Sequence, residues 1–388
     1  MSVLNGVDVL LKEPKSYLGG EHVGLVTNQT GVTKRLVSTL DAFHEHPDIK
    51  LKAVFGPEHG ARGDVQDALE VSNHVDQDTG LPVFSLYGDH RAPTGEMLDG
   101  IDTLVFDIHD CGARFYTYVS TMTLCMESAK ANGVKMMVLD SPNPINGVDV
   151  EGNILEKEYA SFIGLHPVPI RHGLTVGEYA SFINTGIKCS LEIIQMKDWS
   201  REQWHDETGL PWVQQSPNLP SLDTAIVYPG TCFFEGVNAS EGRGTTKPFE
   251  YLGAPWIDGR RWADSLNKLG LSGVLFRSCY FTPTFWRFQG EQCSGVQVHV
   301  TDRDNFKPVE AGLHMLSTLT TLHPDEFRFN DPTYDKRRHF DLLAGTNKLR
   351  KQLEVGTPVE DIIGSWEADK ERYLGERDKH LIYEEGRS

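Results

Sequence analysis

The chain has 388 residues, more than one hydrophobic core usually serves, so two domains are expected. Apolar and charged fractions of 39% and 24% are ordinary for a globular protein in water, while 55 acidic against 37 basic residues leave a formal net charge of −18. That balance argues against nucleic acid as a partner, since such binding rests on a basic surface. An anionic small substrate would need a local cluster of arginines.

The six cysteines are scattered with no C-x-x-C pair, which favours reduced thiols over a disulfide framework. The first residues, Met-Ser-Val-Leu-Asn-Gly-Val-Asp, show no basic segment followed by an apolar one, and no apolar run reaches the roughly 18–20 residues that span a bilayer. As written the chain reads as cytoplasmic; removal of a leader would leave the same sequence.

In chain order, residues 23–27 read as a strand ending in Thr27-Asn28-Gln29-Thr30-Gly31, and residues 34–46 have helical length and spacing. A second strand, 50–55, runs into Gly56-Pro57-Glu58-His59-Gly60-Ala61-Arg62-Gly63-Asp64. Proline fixes φ and biases its predecessor toward extended geometry, so the chain must turn there and carry Glu58, His59, Arg62 and Asp64 on the turn. A third strand, 104–108, leads through Asp107-Ile108-His109-Asp110 to Arg114-Phe115-Tyr116-Thr117-Tyr118. A helix over 120–132 follows, with Gly133 at its C′ position.

Strand 135–139 ends in Asp140-Ser141-Pro142-Asn143-Pro144, with Glu151 beyond. Thr175-Val176-Gly177-Glu178 is a capping-box pattern opening a helix over 175–184, and 191–195 is a further strand candidate. Three prolines between 211 and 220 mark a linker. Beyond it, 274–281 and 296–300 read as strands and 260–269, 308–319 and 357–372 as helices. Alternating strands and helices imply parallel pairing with right-handed crossovers. The expected fold is α/β: a Rossmann-like parallel-sheet N-terminal domain, residues 1–220, plus a smaller α+β C-terminal domain, residues 221–388, closing a cleft.

Each strand of the first domain ends in polar residues, and ligands bind at the carboxyl ends of strands in open α/β sheets. Three chemistries compete for such a cleft. A dinucleotide needs G-x-G-x-x-G directly after a strand, and Gly24 and Gly31 lack that spacing, so no cofactor is expected. A metal site would draw on His59, Asp107, His109, Asp110 and Asp140, but no compact ligand motif such as H-x-x-x-H is present. The third is metal-free hydrolysis by carboxylates, in which an acid protonates the leaving oxygen of a glycoside beside a second carboxylate. Glu58 suits the acid role because Pro57 and the tight turn limit its solvation.

Glu241-Gly242-Arg243-Gly244-Thr245-Thr246 offers backbone donors and one guanidinium, which can bind a carboxylate bidentately. With Arg62, Arg114 and Arg171-His172 it supplies the arginines an anionic substrate demands. Tyr116, Tyr118 and Trp256 are candidates for stacking on a sugar ring.

Together, the segment 24–31, the Gly-Pro-Glu-His-Gly turn, residues 107–118, Ser141-Pro142-Asn143-Pro144, Pro169-Ile170-Arg171-His172-Gly173-Leu174-Thr175 and Ser240-Glu241-Gly242-Arg243-Gly244-Thr245-Thr246 resemble the exo-β-N-acetylmuramidases, a family of glycoside hydrolases. The likeness runs essentially end to end, through Leu381-Ile382-Tyr383. It implies a Rossmann-like domain joined to a smaller one, with the active site between them. It also implies release of terminal N-acetylmuramic acid from the non-reducing end of peptidoglycan fragments such as the MurNAc-GlcNAc disaccharide.

Glu58 matches the family's proposed catalytic glutamate and His59 its neighbour. Asn28, Arg62, Asp107, Arg114, Tyr116, Asn143, Glu151, Arg171, His172, Glu241 and Arg243 are motif members expected to bind substrate, with Arg243 or Arg171 on the lactyl carboxylate. The second carboxylate stays open among Asp107, Asp140, Glu151 and Glu241, with the 2-acetamido group as an alternative nucleophile. Many family members carry a secretion signal that this sequence lacks. Two rival readings are a metal-dependent hydrolase using His59, Asp107 and His109, and a non-catalytic muropeptide-binding protein.

Overall fold

The computed structural model describes residues 2–63, 73–332 and 336–384, so Asp64 of the expected turn lies outside the described residues. Seven strands form the larger sheet: β1 (His22–Thr27), β2 (Lys50–Gly56), β3 (His74–Val75), β4 (Pro82–Ser85), β5 (Thr103–Asp107), β6 (Lys135–Leu139) and β7 (Leu191–Ile194). They lie in the order β3-β4-β2-β1-β5-β6-β7, every neighbouring pair parallel except β3 with β4. Numbered among themselves, the parallel strands run 3-2-1-4-5-6, the doubly wound order that opens a crevice at the strands' carboxyl ends. Central β5 is buried along its whole length, as a strand covered on both faces must be.

The expected strands at 135–139 and 274–281 match to the residue, and the others shift by one to three positions. β3, β4 and β8 (Tyr251–Ala254) have no counterpart among the expected strands; β3 is two residues long, and Pro82 in β4 and Gly253 in β8 weaken the strand pattern. The helix expected over 34–46 shortens to Thr39–Glu45, because Thr33 Oγ1 accepts from the Arg35 and Val37 amides and Leu36 takes a φ of 61°, making a turn of the preceding stretch. The helix expected over 357–372 is interrupted between Val359–Gly364 and Glu367–Arg377, where the Ser365 hydroxyl donates to the Ile362 carbonyl at 2.6 Å.

The smaller sheet joins β8 to β9 (Val274–Phe281) and β10 (Cys293–Val300) in the antiparallel order β8-β10-β9. Helix Leu222–Thr231 packs against helix Pro308–Leu322 so closely that a Cβ on Gly230 would sit 1.8 Å from the Pro308 carbonyl oxygen. Only glycine permits that approach, and it fixes the 3₁₀ segment Cys232–Gly236 that follows. No helix among the described residues is long and apolar enough to cross a membrane.

The two halves share one core. Phe115 meets Tyr228 and Phe233 edge-on, at 5.3 and 6.3 Å between ring centroids. Beside it Arg114, expected to bind substrate, is fully buried and donates to four carbonyls: Asn153 (2.7 Å), Val168 (2.8 Å), Leu343 (3.0 Å) and Ala344 (2.9 Å). It is a clamp between the halves. Arg114→Ala strands these acceptors and is expected to destabilise the protein by about 3 kcal/mol or more in urea unfolding. Normal stability with selectively weakened substrate binding would contradict the clamp.

Candidate active site

The carboxyl ends of the strands do converge, yet most of their polar groups turn inward. Asn28 Oδ1 accepts from the Thr30 amide and hydroxyl at 2.9 and 2.6 Å. Asp107, at the end of β5, accepts from the Thr39 hydroxyl at 2.5 Å, and burial pushes its carboxyl up to about 7. Asp140, at the end of β6, accepts from Thr175 (2.9 Å), the Gly177 amide (2.8 Å) and the Tyr383 hydroxyl (2.6 Å), and burial again raises it to about 7. Asn143 donates to the Leu174 carbonyl and accepts from the Ile145 amide. These residues hold loops and helix starts in place.

The arginines of the sequence reading divide in the same way. Arg62 pairs with Asp76 (2.6 Å) and Asp41 (3.0 Å), both of which raise its pKa. Arg171, 1% exposed, pairs with Glu151 (3.0 Å) and Asp149 (3.1 Å), so it has no free face for a lactyl carboxylate. Glu151 spends its other oxygen on the Val309 amide. His172 is buried between Asp110 (3.2 Å) and the Leu174 amide, which donates to its Nδ1. Trp256 packs edge-on against His323 rather than in the cleft. Charged residues in buried positions must be paired, and these find partners within the fold.

What remains is a cleft of about 1260 Å³ between the two halves, lined by Glu58, His59 and Tyr116 on one side and by Glu235, Arg243 and His339 on the other. Glu58 sits on a tight turn closed by the Gly60 amide donating to the Pro57 carbonyl at 3.0 Å. His59, 4% exposed, takes a φ of 73° at the turn's third position, a conformation that side chains adopt only where the surroundings impose it. A Cβ on Gly56 would come within 2.7 Å of the Ala61 nitrogen, so the strand can enter this turn only through glycine. Glu58 is half-buried and accepts from the Thr117 hydroxyl at 3.3 Å. Tyr116 lines the same cleft; burial first, and then the neighbouring ionisable groups including Asp110 and Glu58, push its phenol well up, so it stays a neutral donor.

Glu235 faces the same space. Burial alone would raise its carboxyl, but Arg243 at 2.9 Å and His339 at 3.2 Å outweigh that and hold it at about 2, so it is ionised at neutral pH. Arg243 also pairs with buried Glu241 at 3.0 Å and lies over the Phe249 ring. Glu58 is felt electrostatically by Tyr116 and Glu235 by Tyr228, and those two rings stand 6.2 Å apart. The cleft thus holds two carboxylates and an aromatic pair, groups of the kind a glycosidase uses.

The sequence of the chain matches the family described as "Exo-beta-N-acetylmuramidase NamZ", the N-terminal part over residues 23–223 and the C-terminal part over residues 226–383. The chain belongs to the NamZ family. A peptidoglycan β-N-acetylmuramidase NamZ of Bacillus subtilis is 50% identical over 383 residues, 98% of this chain and 91% of that protein. Two crystal structures of DUF1343 family proteins from Bacteroides fragilis share the fold. One has a TM-score of 0.92 at 38% identity over 99% of both chains, the other 0.76 at 28% identity over 100% of both.

Of the residues expected from sequence, Glu58, His59, Tyr116 and Arg243 line the cleft; Glu235, His339 and Arg91 line it too and were not among them. Glu235 had one signal: an acidic residue directly after the apolar run Cys232-Phe233-Phe234. His339 and Arg91 had none. His59, Asp107 and His109 are not gathered; among the described residues no three His, Cys, Asp or Glu side chains stand close enough to share an ion.

Proposed function

We propose that this protein is an exo-acting β-N-acetylmuramidase that releases N-acetylmuramic acid from the non-reducing end of peptidoglycan fragments, with Glu58 as the proton donor and Glu235 as the charged second carboxylate. The observation that carries the reading is the placement of Glu58: of the strand-end acids Glu58, Asp107 and Asp140, it alone opens onto the cleft. The donor must reach the bridging oxygen, and a half-buried carboxyl on a rigid turn does so without reorganisation.

Glu235 takes the place left open among Asp107, Asp140, Glu151 and Glu241. An ionised carboxylate stabilises the oxocarbenium-like transition state, whether as nucleophile, as base toward water, or as partner to the substrate's own 2-acetamido group. The halves divide near residue 220; segment 211–220 carries no helix or strand, and the family matches meet at 223 and 226. Six free, buried cysteines suit a reducing compartment, and so an enzyme acting on imported muropeptides.

Purified protein incubated with a chromogenic N-acetylmuramide, with and without chelator, tests the reading. Chelator-resistant release is expected. Release abolished by the chelator would make it a metal-dependent hydrolase, and binding without release would make it a muropeptide-binding protein.

A further inference from the structure

The acidic envelope of this chain, −18 overall, repels an anionic sugar, so a muramic residue needs a local cation whose charge is not already spent. Four arginines line the cleft. Arg243 is neutralised by Glu235 and Glu241. Arg287 donates to the carbonyls of Glu235, Val237 and Ala239, bracing the 3₁₀ segment from behind. Arg337 donates to the carbonyls of Glu158 and Ala160.

Arg91 differs. It is exposed, it carries no ion pair with any described residue, and its guanidinium lies 4.2 Å from the centroid of the Phe162 ring and 5.5 Å from that of Tyr87. Stacking on aromatic faces fixes the plane of a guanidinium while leaving its N–H edge open for a bidentate carboxylate. Its position is also set. The Arg91 loop leaves β4, whose neighbour is β2, and the Leu86 amide donates to the Gly56 carbonyl at 2.8 Å, two residues before Glu58. Phe162, on which it stacks, is carried by a tight turn in which Ser161 and Gly164 exchange backbone hydrogen bonds at 2.9 Å.

We infer that Arg91 recognises the lactyl carboxylate of N-acetylmuramic acid and thereby sets the preference for muramic over glucosamine residues. The inference rests on the muramidase reading above and names the group that makes it specific. Arg171 and Arg243, favoured by sequence alone, are already spent on carboxylates of the fold.

The test is a two-by-two comparison. Wild type and Arg91→Gln are assayed on 4-nitrophenyl N-acetylmuramide with its lactyl group as the free acid and as the methyl ester. Esterification is expected to lower wild-type kcat/KM by about 10–100-fold, mostly through KM, the worth of one charge-assisted pair. Arg91→Gln should match wild type acting on the ester and show no further loss when the ester is used, and Arg91→Lys should recover part of the difference. Equal sensitivity to esterification in wild type and Arg91→Gln, or indifference of wild type, would overturn the assignment. Wild-type turnover of the free acid checks the muramidase reading separately: turnover of neither compound removes both.

Discussion

Glu58→Gln is expected to fold normally and to lose about 10³-fold in kcat on a disaccharide substrate, the range in which a positioned general acid operates. Glutamine preserves shape and still accepts from Thr117, so the turn and His59 should stay in place. The loss must depend on the leaving group. A sugar hydroxyl leaves poorly without a proton, whereas 4-nitrophenolate leaves unaided, so the defect should shrink by at least about tenfold on the nitrophenyl substrate. Near-normal kcat on the disaccharide, or an equal defect on both substrates, would remove Glu58 from the acid role.

Glu235→Gln should behave in the complementary way. Its charge is needed when the glycosidic carbon turns cationic, whatever the leaving group, so a loss of about 10²–10³-fold is expected on both substrates alike. The pH dependence adds a sign. Arg243 and His339 hold the Glu235 carboxyl at about 2, and in the proposed mechanism the ionised form is the working one. Arg243→Ala removes the nearest cation, so the carboxyl rises, and the acid limb of the kcat/KM profile should move to higher pH. An acid limb that stays put, with Glu235→Gln retaining activity, would return the second carboxylate to the open set. Proton NMR of the first-formed anomer then tells a nucleophile from a base.

The two assignments draw on different amounts of sequence. Glu58 was legible because a local rule acts there: Gly-Pro after a β-strand forces a turn, and a turn at a strand's carboxyl end of an α/β sheet meets ligand. Asp107 and Asp140 sit at equivalent strand ends, yet they cap their own surroundings. Parallel strands leave backbone amides and hydroxyls buried at that edge, and a carboxyl group is the acceptor that satisfies them. No spacing rule tells a carboxylate that serves Thr39 or Gly177 from one that faces solvent, because the difference lies in which crossover packs above it. The same holds for Arg114 and Arg171, whose chemistry as arginines fits a clamp and a binding group equally well.

Alternating apolar runs and helical stretches and the chain-long family motifs determined the α/β fold class and the family from the order of residues alone, and the turn at Pro57 singled out Glu58 as the residue to test. The rest of the site belongs to the packed molecule. Glu235, His339 and Arg91 come from segments far apart in the chain and line one cleft, in a fold where Gly230 and Gly312 let two helices touch and Arg114 ties the halves together. Which charges stay open to a ligand is a matter of what else lies within 3 Å of them, and that is decided by long-range packing, which local patterns in a sequence do not encode.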